Sequence, residues 1–298
     1  MHQRSATVDG AAVQYWEYAP GPAGVPEGPG APGAAGVRTI VMVHGFRGDH
    51  HGLERVVELL PQHRIIMPDL PGFGISAAFP NSPHDICSYS SFLGGFLATL
   101  QLGPETVLLG HSFGSIVASH FVAANPKRVH PLVLVNPIAS PALEGPKGVM
   151  TKLAVFYYWA AAKLPERLGQ SLLRSKAIVH IMSLTMAKTR EPALLSFIHG
   201  QHHAYFSAFA NRDMLLEAFE ASVAGTVREV AAELDLPTLL IAGAEDEIAT
   251  LPQQHKLLTL LPQGELVVVE RVGHLIHYET PQRAAEAILD FLERHPAP

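Results

Sequence analysis

The sequence predicts an α/β fold in which a mostly parallel sheet carries helices on both faces and a helical segment interrupts the strand pattern. Three observations predict it. Short apolar, β-branched runs alternate with helix-patterned stretches from Thr39 to Val135, the mark of parallel strands joined by crossover helices. The strand pattern then stops for about a hundred residues and resumes at Thr238. Finally, Gly110-His111-Ser112-Phe113-Gly114 lies between the apolar run Thr106-Val107-Leu108-Leu109 and a helix-like stretch over 115–122, which places a serine at a strand-to-helix junction between two glycines.

The elements follow in order. Ala6-Thr7-Val8 and the run from Ala12 to Tyr18 are split by Asp9-Gly10, a hairpin turn signal, and should form an antiparallel edge of the sheet. Between Pro20 and Gly36, prolines and glycines dominate without an apolar period, so a flexible exposed loop is expected. Strands are expected over 39–43, 64–67, 106–109, 131–135, 237–242 and 265–270, with helices over 53–60, 89–100, 115–124 and 282–292. Residues 138–224 form the helical insertion, here termed a cap, and 1–137 with 225–298 form the core. The cap's first helix carries Phe156, Tyr157, Tyr158 and Trp159, and a second carries Ile178, Ile181, Met182 and Met186. These side chains either pack the cap onto the core or roof an apolar pocket, and one helix can do both with different faces.

A serine exposed on a sharp turn needs near side-chain-free neighbours two residues away on each side, and Gly110 and Gly114 meet that need. A nucleophilic serine also needs a base, an acid to orient the base, and donors for a developing oxyanion. Downstream, Gly243-Ala244-Glu245-Asp246 follows the strand over 237–242, and Gly273-His274 follows the strand over 265–270. Asp246 is the candidate acid and His274 the candidate base, both in loops at the carboxyl edge of the sheet. Asp246 also reads as a helix N-cap, with Glu245 and Glu247 as alternative acids. His277, three residues after His274, reads as a packing or pocket residue, and Asp69 as a structural residue of its loop.

Taken together, His44-Gly45-Phe46, Asp69-Leu70-Pro71-Gly72-Phe73-Gly74, Gly110-His111-Ser112-Phe113-Gly114, Gly243-Ala244-Glu245-Asp246 and Gly273-His274, with Glu279, Pro281 and Phe291 behind them, resemble the α/β-hydrolase superfamily in its single-domain form with a helical cap. The resemblance implies a mostly parallel eight-stranded sheet, a Ser112–His274–Asp246 triad, and an oxyanion hole from the backbone N–H groups of Phe46 and Phe113. It implies hydrolysis of a carboxylic ester or thioester of a small, largely apolar substrate through an acyl-enzyme. Two rivals stand beside that reading. One is a carbon–carbon hydrolase, lyase or synthase of the same fold; the other is a ligand-binding protein without turnover. Epoxide hydrolases and haloalkane dehalogenases resemble the chain but need a carboxylate where Ser112 stands.

Candidate substrate contacts are His44, His111, Trp159 and His203. His199, His202 and His203 share one helix face at i, i+3 and i+4, yet no nearby Asp, Glu or Cys completes a ligand set, so neither a metal nor any other cofactor is expected. The net charge of −6 and the absence of a sustained basic cluster argue against nucleic acid as a partner. Residues 138–225 hold nine Lys/Arg against six Asp/Glu, a balance of +3, and the remainder holds twelve against twenty-one, −9. Solvated helix faces are the simpler reading of this asymmetry, and an anionic substrate the sharper one. A single cysteine, Cys87, excludes an intrachain disulfide. The longest apolar run, Leu153 to Ala162, is bounded by Lys152 and Lys163 and is about half a membrane span. With no signal-like segment after Met1, a soluble cytoplasmic protein without stable membrane insertion is expected.

Overall fold

Asp9 and Gly10 take positive φ angles of 50° and 80°, the tight turn that matches strand twist, and join β1 (His2–Val8) to β2 (Ala11–Tyr18) in antiparallel register. A computed structural model describes residues 1–21, 36–141 and 148–297. Most of the Pro/Gly segment over 20–36 therefore lies outside the described residues, as does part of the start of the insertion. β1 begins earlier than the apolar pattern suggested, at His2. Its first residues are exposed at the sheet edge, where pairing needs no apolar side chain.

Six further strands complete an eight-stranded sheet: β3 (Thr39–Val43), β4 (Arg64–Pro68), β5 (Val107–His111), β6 (Leu132–Val135), β7 (Thr238–Gly243) and β8 (Gly264–Val269). The order is β1-β2-β4-β3-β5-β6-β7-β8, antiparallel through β2 and β4 and parallel from β4 onward. This is the expected mostly parallel sheet. β5 and β6 are buried at every position, which is why they read as unbroken apolar runs.

Strand alternation divides the core into two layers. Ile40 and Met42 of β3 face a cluster that includes Val56, Val57, Ile288 and Phe291, whereas Val41 and Val43 face one that includes Phe92, Phe96, Ile116 and Phe121. The helices behind these layers are α1 (Glu54–Val57), α2 (Ile86–Thr99), α3 (Phe113–Ala124) and, after the insertion, α11 (Pro281–Arg294). α1 is a single turn, shorter than the helix expected over 53–60. A 3-10 turn over His50–Leu53, capped by the Asp49 side chain, takes its place at the start.

Between β6 and β7 the described chain forms α4 (Gly148–Lys163), α5 (Glu166–Leu173), α6 (Lys176–Met186), α7 (Pro192–Tyr205) and α8 (Arg212–Ala224). After β7 come α9 (Leu251–Leu258) and the one-turn α10 (Ile276–Glu279). Among the described residues no helix is long and apolar enough to cross a membrane.

One buried cation ties this insertion to the core. Arg47, only 2% exposed, follows β3 and takes a positive φ of 60°. Its guanidinium donates to the Phe206 carbonyl at 2.9 Å, the Tyr158 hydroxyl at 3.1 Å and the Leu173 carbonyl at 2.6 Å. Leu173 ends α5, where unpaired carbonyls and the helix dipole favour a cation. Arg47→Ala would strand these three groups in a dry site, at an expected cost of about 3 kcal/mol or more. Arg47→Lys should recover only part of that loss, because one ammonium cannot reproduce the planar fork. Urea unfolding of the three proteins measures this, and an unchanged midpoint in Arg47→Ala would mean that apolar packing alone holds the insertion.

Candidate active site

Ser112 stands between the last residue of β5 and the first of α3, with φ 52° and ψ −117°. A non-glycine residue in that region is strained by about 1–3 kcal/mol, so the surroundings must enforce it. The two flanking glycines show how. A Cβ on Gly110 would lie 2.3 Å from the Gly114 carbonyl oxygen, and one on Gly114 would lie 2.2 Å from the Val43 oxygen. The turn closes only because both are bare. The Ser112 N–H donates to the Val135 oxygen at 3.0 Å, which pins the turn to β6.

His274 meets this serine from the loop after β8. Its Nε2 lies 2.8 Å from Ser112 Oγ and its Nδ1 2.7 Å from Asp246 Oδ2. With the proton on Nδ1, the imidazole donates to Asp246 and accepts from the serine hydroxyl. The other carboxylate oxygen, Asp246 Oδ1, accepts from the N–H groups of Ile248 at 2.8 Å and Ala249 at 3.1 Å. The helix N-cap role expected of Asp246 falls instead to Thr250, which precedes α9 and whose N–H donates to the Gln253 side chain at 3.0 Å, so Asp246 braces the loop before that helix. The alternatives Glu245 and Glu247 are exposed, and Glu247 pairs with Lys188 at 3.0 Å.

Asn136, directly after β6, connects the two loops. Buried and at a positive φ of 44°, it donates from Nδ2 to the carbonyls of Gly273 at 3.2 Å and His274 at 2.9 Å. Its Oδ1 accepts from the Gly243 N–H at 2.9 Å. One amide therefore sets the spacing between the loop bearing Asp246 and the loop bearing His274. The available signal was a polar residue, tolerant of positive φ, directly after a buried strand.

Phe46 and Phe113 lie on either side of the serine. A Cβ on Gly45 would sit 3.3 Å from Ser112 Cβ, so the Gly45–Phe46 peptide runs along the serine. Phe113 opens α3, and among the described residues neither its amide nor that of Phe46 has a hydrogen-bond partner. His44 holds this loop: Nε2 accepts from the Leu70 N–H at 2.9 Å, so Nδ1–H donates to the Gly45 carbonyl at 2.8 Å. Asp69 serves the neighbouring loop, accepting from the His50 and Ile75 N–H groups, each at 3.0 Å.

A cavity beside Ser112 and His274 is lined by His44, Phe46, Asp49, Leu53, His111, His277 and Tyr278 from the core and by Met186, Tyr205 and Phe206 from the insertion. Two of the four candidate contacts, His44 and His111, lie there. Trp159 and His203 do not, which corrects the expectation for both. Trp159 is exposed and stacks on Phe156, because α4 buries its opposite side through Tyr158 and Ala161. His203 faces α6, with Nε2 3.3 Å from His180 Nδ1. His199 and His202 also turn to α6, where both meet Ser183 Oγ, at 2.6 and 2.7 Å. Among the described residues, Asp49, His50 and His51 offer ligand atoms within 4.8 Å of one another. The His50 Nδ1 is bonded to Asp69 and the His51 Nδ1 to Asp49, and the rings stack on Trp16 and Tyr205.

Burial disfavours the charged forms of His44, His111 and His277. It holds His44 below its ordinary pKa, and it pushes His111 down to about 3, with the adjacent His274 adding to the effect. His277, its ring 4.2 Å from that of His111, is driven well down by burial and by its histidine neighbours. His202 is likewise pushed down to about 3, mainly by burial.

Comparisons with known proteins bear on the family and the fold. Residues 38–281 match the sequence profile of a family described as "alpha/beta hydrolase fold". The chain is 27% identical to the uncharacterized hydrolase YugF of Bacillus subtilis (strain 168), covering 97% of each. It is 22% identical to Lipase 1 of Psychrobacter immobilis, covering 83% of this chain and 74% of that protein. A thermophilic esterase from Thermogutta terrifontis superposes with a TM-score of 0.74 at 21% identity, covering 99% of each chain.

Two outcomes follow from the site's construction. Replacing Asn136 by Ala should lower kcat at least tenfold while shifting KM little, because the amide positions two loops without touching the cavity; steady-state kinetics would show this, and an unaltered kcat would refute it. His44, His111, His202 and His277 have folded-state pKa values below those of the unfolded chain, so unfolding takes up protons once the pH falls below the ordinary value. Their stabilisation is complete above about pH 6.5 and is lost progressively toward about pH 3, by up to about 1.4 kcal/mol per pH unit for each histidine. Urea midpoints measured down the pH scale should fall accordingly, and His202→Leu should flatten the slope.

Proposed function

The chain belongs to the α/β-hydrolase family, and from that premise we propose that it hydrolyses carboxylic esters or thioesters of small, largely apolar substrates through an acyl-enzyme on Ser112. The observation that carries this reading is the pair of short contacts at His274, 2.8 Å to Ser112 Oγ and 2.7 Å to Asp246. Residues 138–224 act as a cap in this account, supplying Met186, Tyr205 and Phe206 to a cavity whose floor is the core.

The chemistry proceeds in two halves. Ser112 Oγ gives its proton to His274 Nε2 as it attacks the substrate carbonyl carbon. Negative charge collects on the carbonyl oxygen, where the N–H groups of Phe46 and Phe113 receive it; each such donor supplies about 3 kcal/mol of transition-state stabilisation. Collapse of the tetrahedral species expels the alcohol or thiol, protonated by His274, and leaves the acyl group on Ser112. Water, deprotonated by His274, then attacks the same carbonyl and releases the acid. Asp246 holds the imidazole in the required tautomer and stabilises its charged form. The neutral state of His111 keeps a second positive charge away from that imidazolium.

Turnover of a p-nitrophenyl ester series and labelling by a fluorophosphonate probe test the proposal. Ser112→Ala should abolish labelling and lower kcat by a factor on the order of 10⁴–10⁶, and Asp246→Asn by about 10⁴, without loss of fold. A Ser112→Ala protein with undiminished ester turnover would eliminate the reading. Labelling without turnover of any ester would favour carbon–carbon cleavage on the same serine instead.

A further inference from the structure

Helix α4 is apolar on both sides, although only one side is buried. Tyr158 and Ala161 are covered, whereas Phe156 is 61% and Trp159 53% exposed, and the two outer rings stack at 5.7 Å. Lys152 and Lys163 are also exposed. Positions 152, 156, 159 and 163 follow the i, i+4, i+7, i+11 spacing of one helical stripe, so two aromatic rings lie between two cations on a single outward face. A helix at a water-facing surface places polar groups there. Of the fourteen large hydrophobic residues exposed among the described residues, nine fall between 153 and 197, which concentrates the apolar surface on the insertion.

We propose that this face of α4 docks on an anionic lipid bilayer surface, with Phe156 and Trp159 in the headgroup region and Lys152 and Lys163 on lipid phosphates. Trp and Phe favour the membrane interface, and lysine stems extend along apolar surface to reach charge. The charge distribution selects this partner. Residues 138–225 carry +3 and the rest of the chain −9, so an anionic surface attracts the insertion, repels the body and orients the molecule. A second copy of the chain would bring one net-positive insertion against another. The helix is too short to span and lies along the surface. Docking brings to the membrane the same insertion that contributes Met186, Tyr205 and Phe206 to the cavity. The proposal rests on surface chemistry alone and is independent of the hydrolytic reading.

The two tryptophans make the test direct. Trp16 is buried and stacked on His50, so changes in emission report on Trp159. The full-length protein is titrated with vesicles of phosphatidylcholine alone and of phosphatidylcholine mixed with phosphatidylglycerol, and binding is read by emission wavelength and co-sedimentation. A blue shift and co-sedimentation confined to the anionic vesicles, and weakened by salt, are expected. Lys152→Gln combined with Lys163→Gln should lower the partition coefficient roughly thirtyfold, at about tenfold per 1.4 kcal/mol. Phe156→Ser should reduce the blue shift while the circular dichroism spectrum and turnover of a soluble ester stay unchanged. No shift with either vesicle, or equal binding to both with the lysine variants unaffected, would overturn the proposal. So would a concentration-dependent blue shift without vesicles accompanied by a dimer mass in sedimentation velocity, which would assign the face to a second copy.

Discussion

The close approach of β5 and α3 at Ser112 is the constraint on which the rest depends. Bare glycines at 110 and 114 let the chain reverse within van der Waals reach of β3, and the price is a serine held at φ 52°. That conformation survives because the surroundings overdetermine it: Val135 accepts the serine amide, and α3 is packed on every buried face. From this turn the parallel sheet does the remaining work. β7 and β8 run in the same direction as β5, so their following loops emerge at the same edge, and Asn136 spans them with three hydrogen bonds.

The electrostatics around the serine follow from that crowding. His44, His111 and His277 are all buried close to it, and burial disfavours their charged forms. Neutral rings can then serve as backbone clamps, as His44 does between Leu70 and Gly45, without adding positive charge beside His274. The same arrangement makes stability sensitive to acid, because each ring would take up a proton on unfolding.

The insertion shows a different balance. Its attachment depends on Arg47, a cation buried among two carbonyls and a hydroxyl, together with Glu279, which accepts from the backbone of Lys188 and Thr189 at 2.9 and 2.8 Å. Phe46 meets Tyr158 and Phe219 in the same region, so the loop that carries a proposed oxyanion donor also packs on the insertion. Apolar surface remains on the outside of α4, which no contact among the described residues covers.

The amino-acid sequence by itself determined the fold class, the hairpin at Asp9-Gly10, the order of the buried strands, and the serine, histidine and aspartate that converge at the sheet edge. These rest on local rules, namely period-two burial, glycine tolerance and residues placed directly after strands, which act over a few neighbours and leave a readable pattern. The tertiary structure alone decided the rest. Trp159 pointed outward and His203 toward α6 because which face of an insertion helix is covered depends on its neighbours in space. Arg47 bears no mark of its role and Asn136 only its place directly after a buried strand, since each is defined by partners 107 to 159 residues away, including Phe206 and His274. Hydrogen bonds of that range exist only once the chain has folded, whereas the strand and turn patterns are written in consecutive residues.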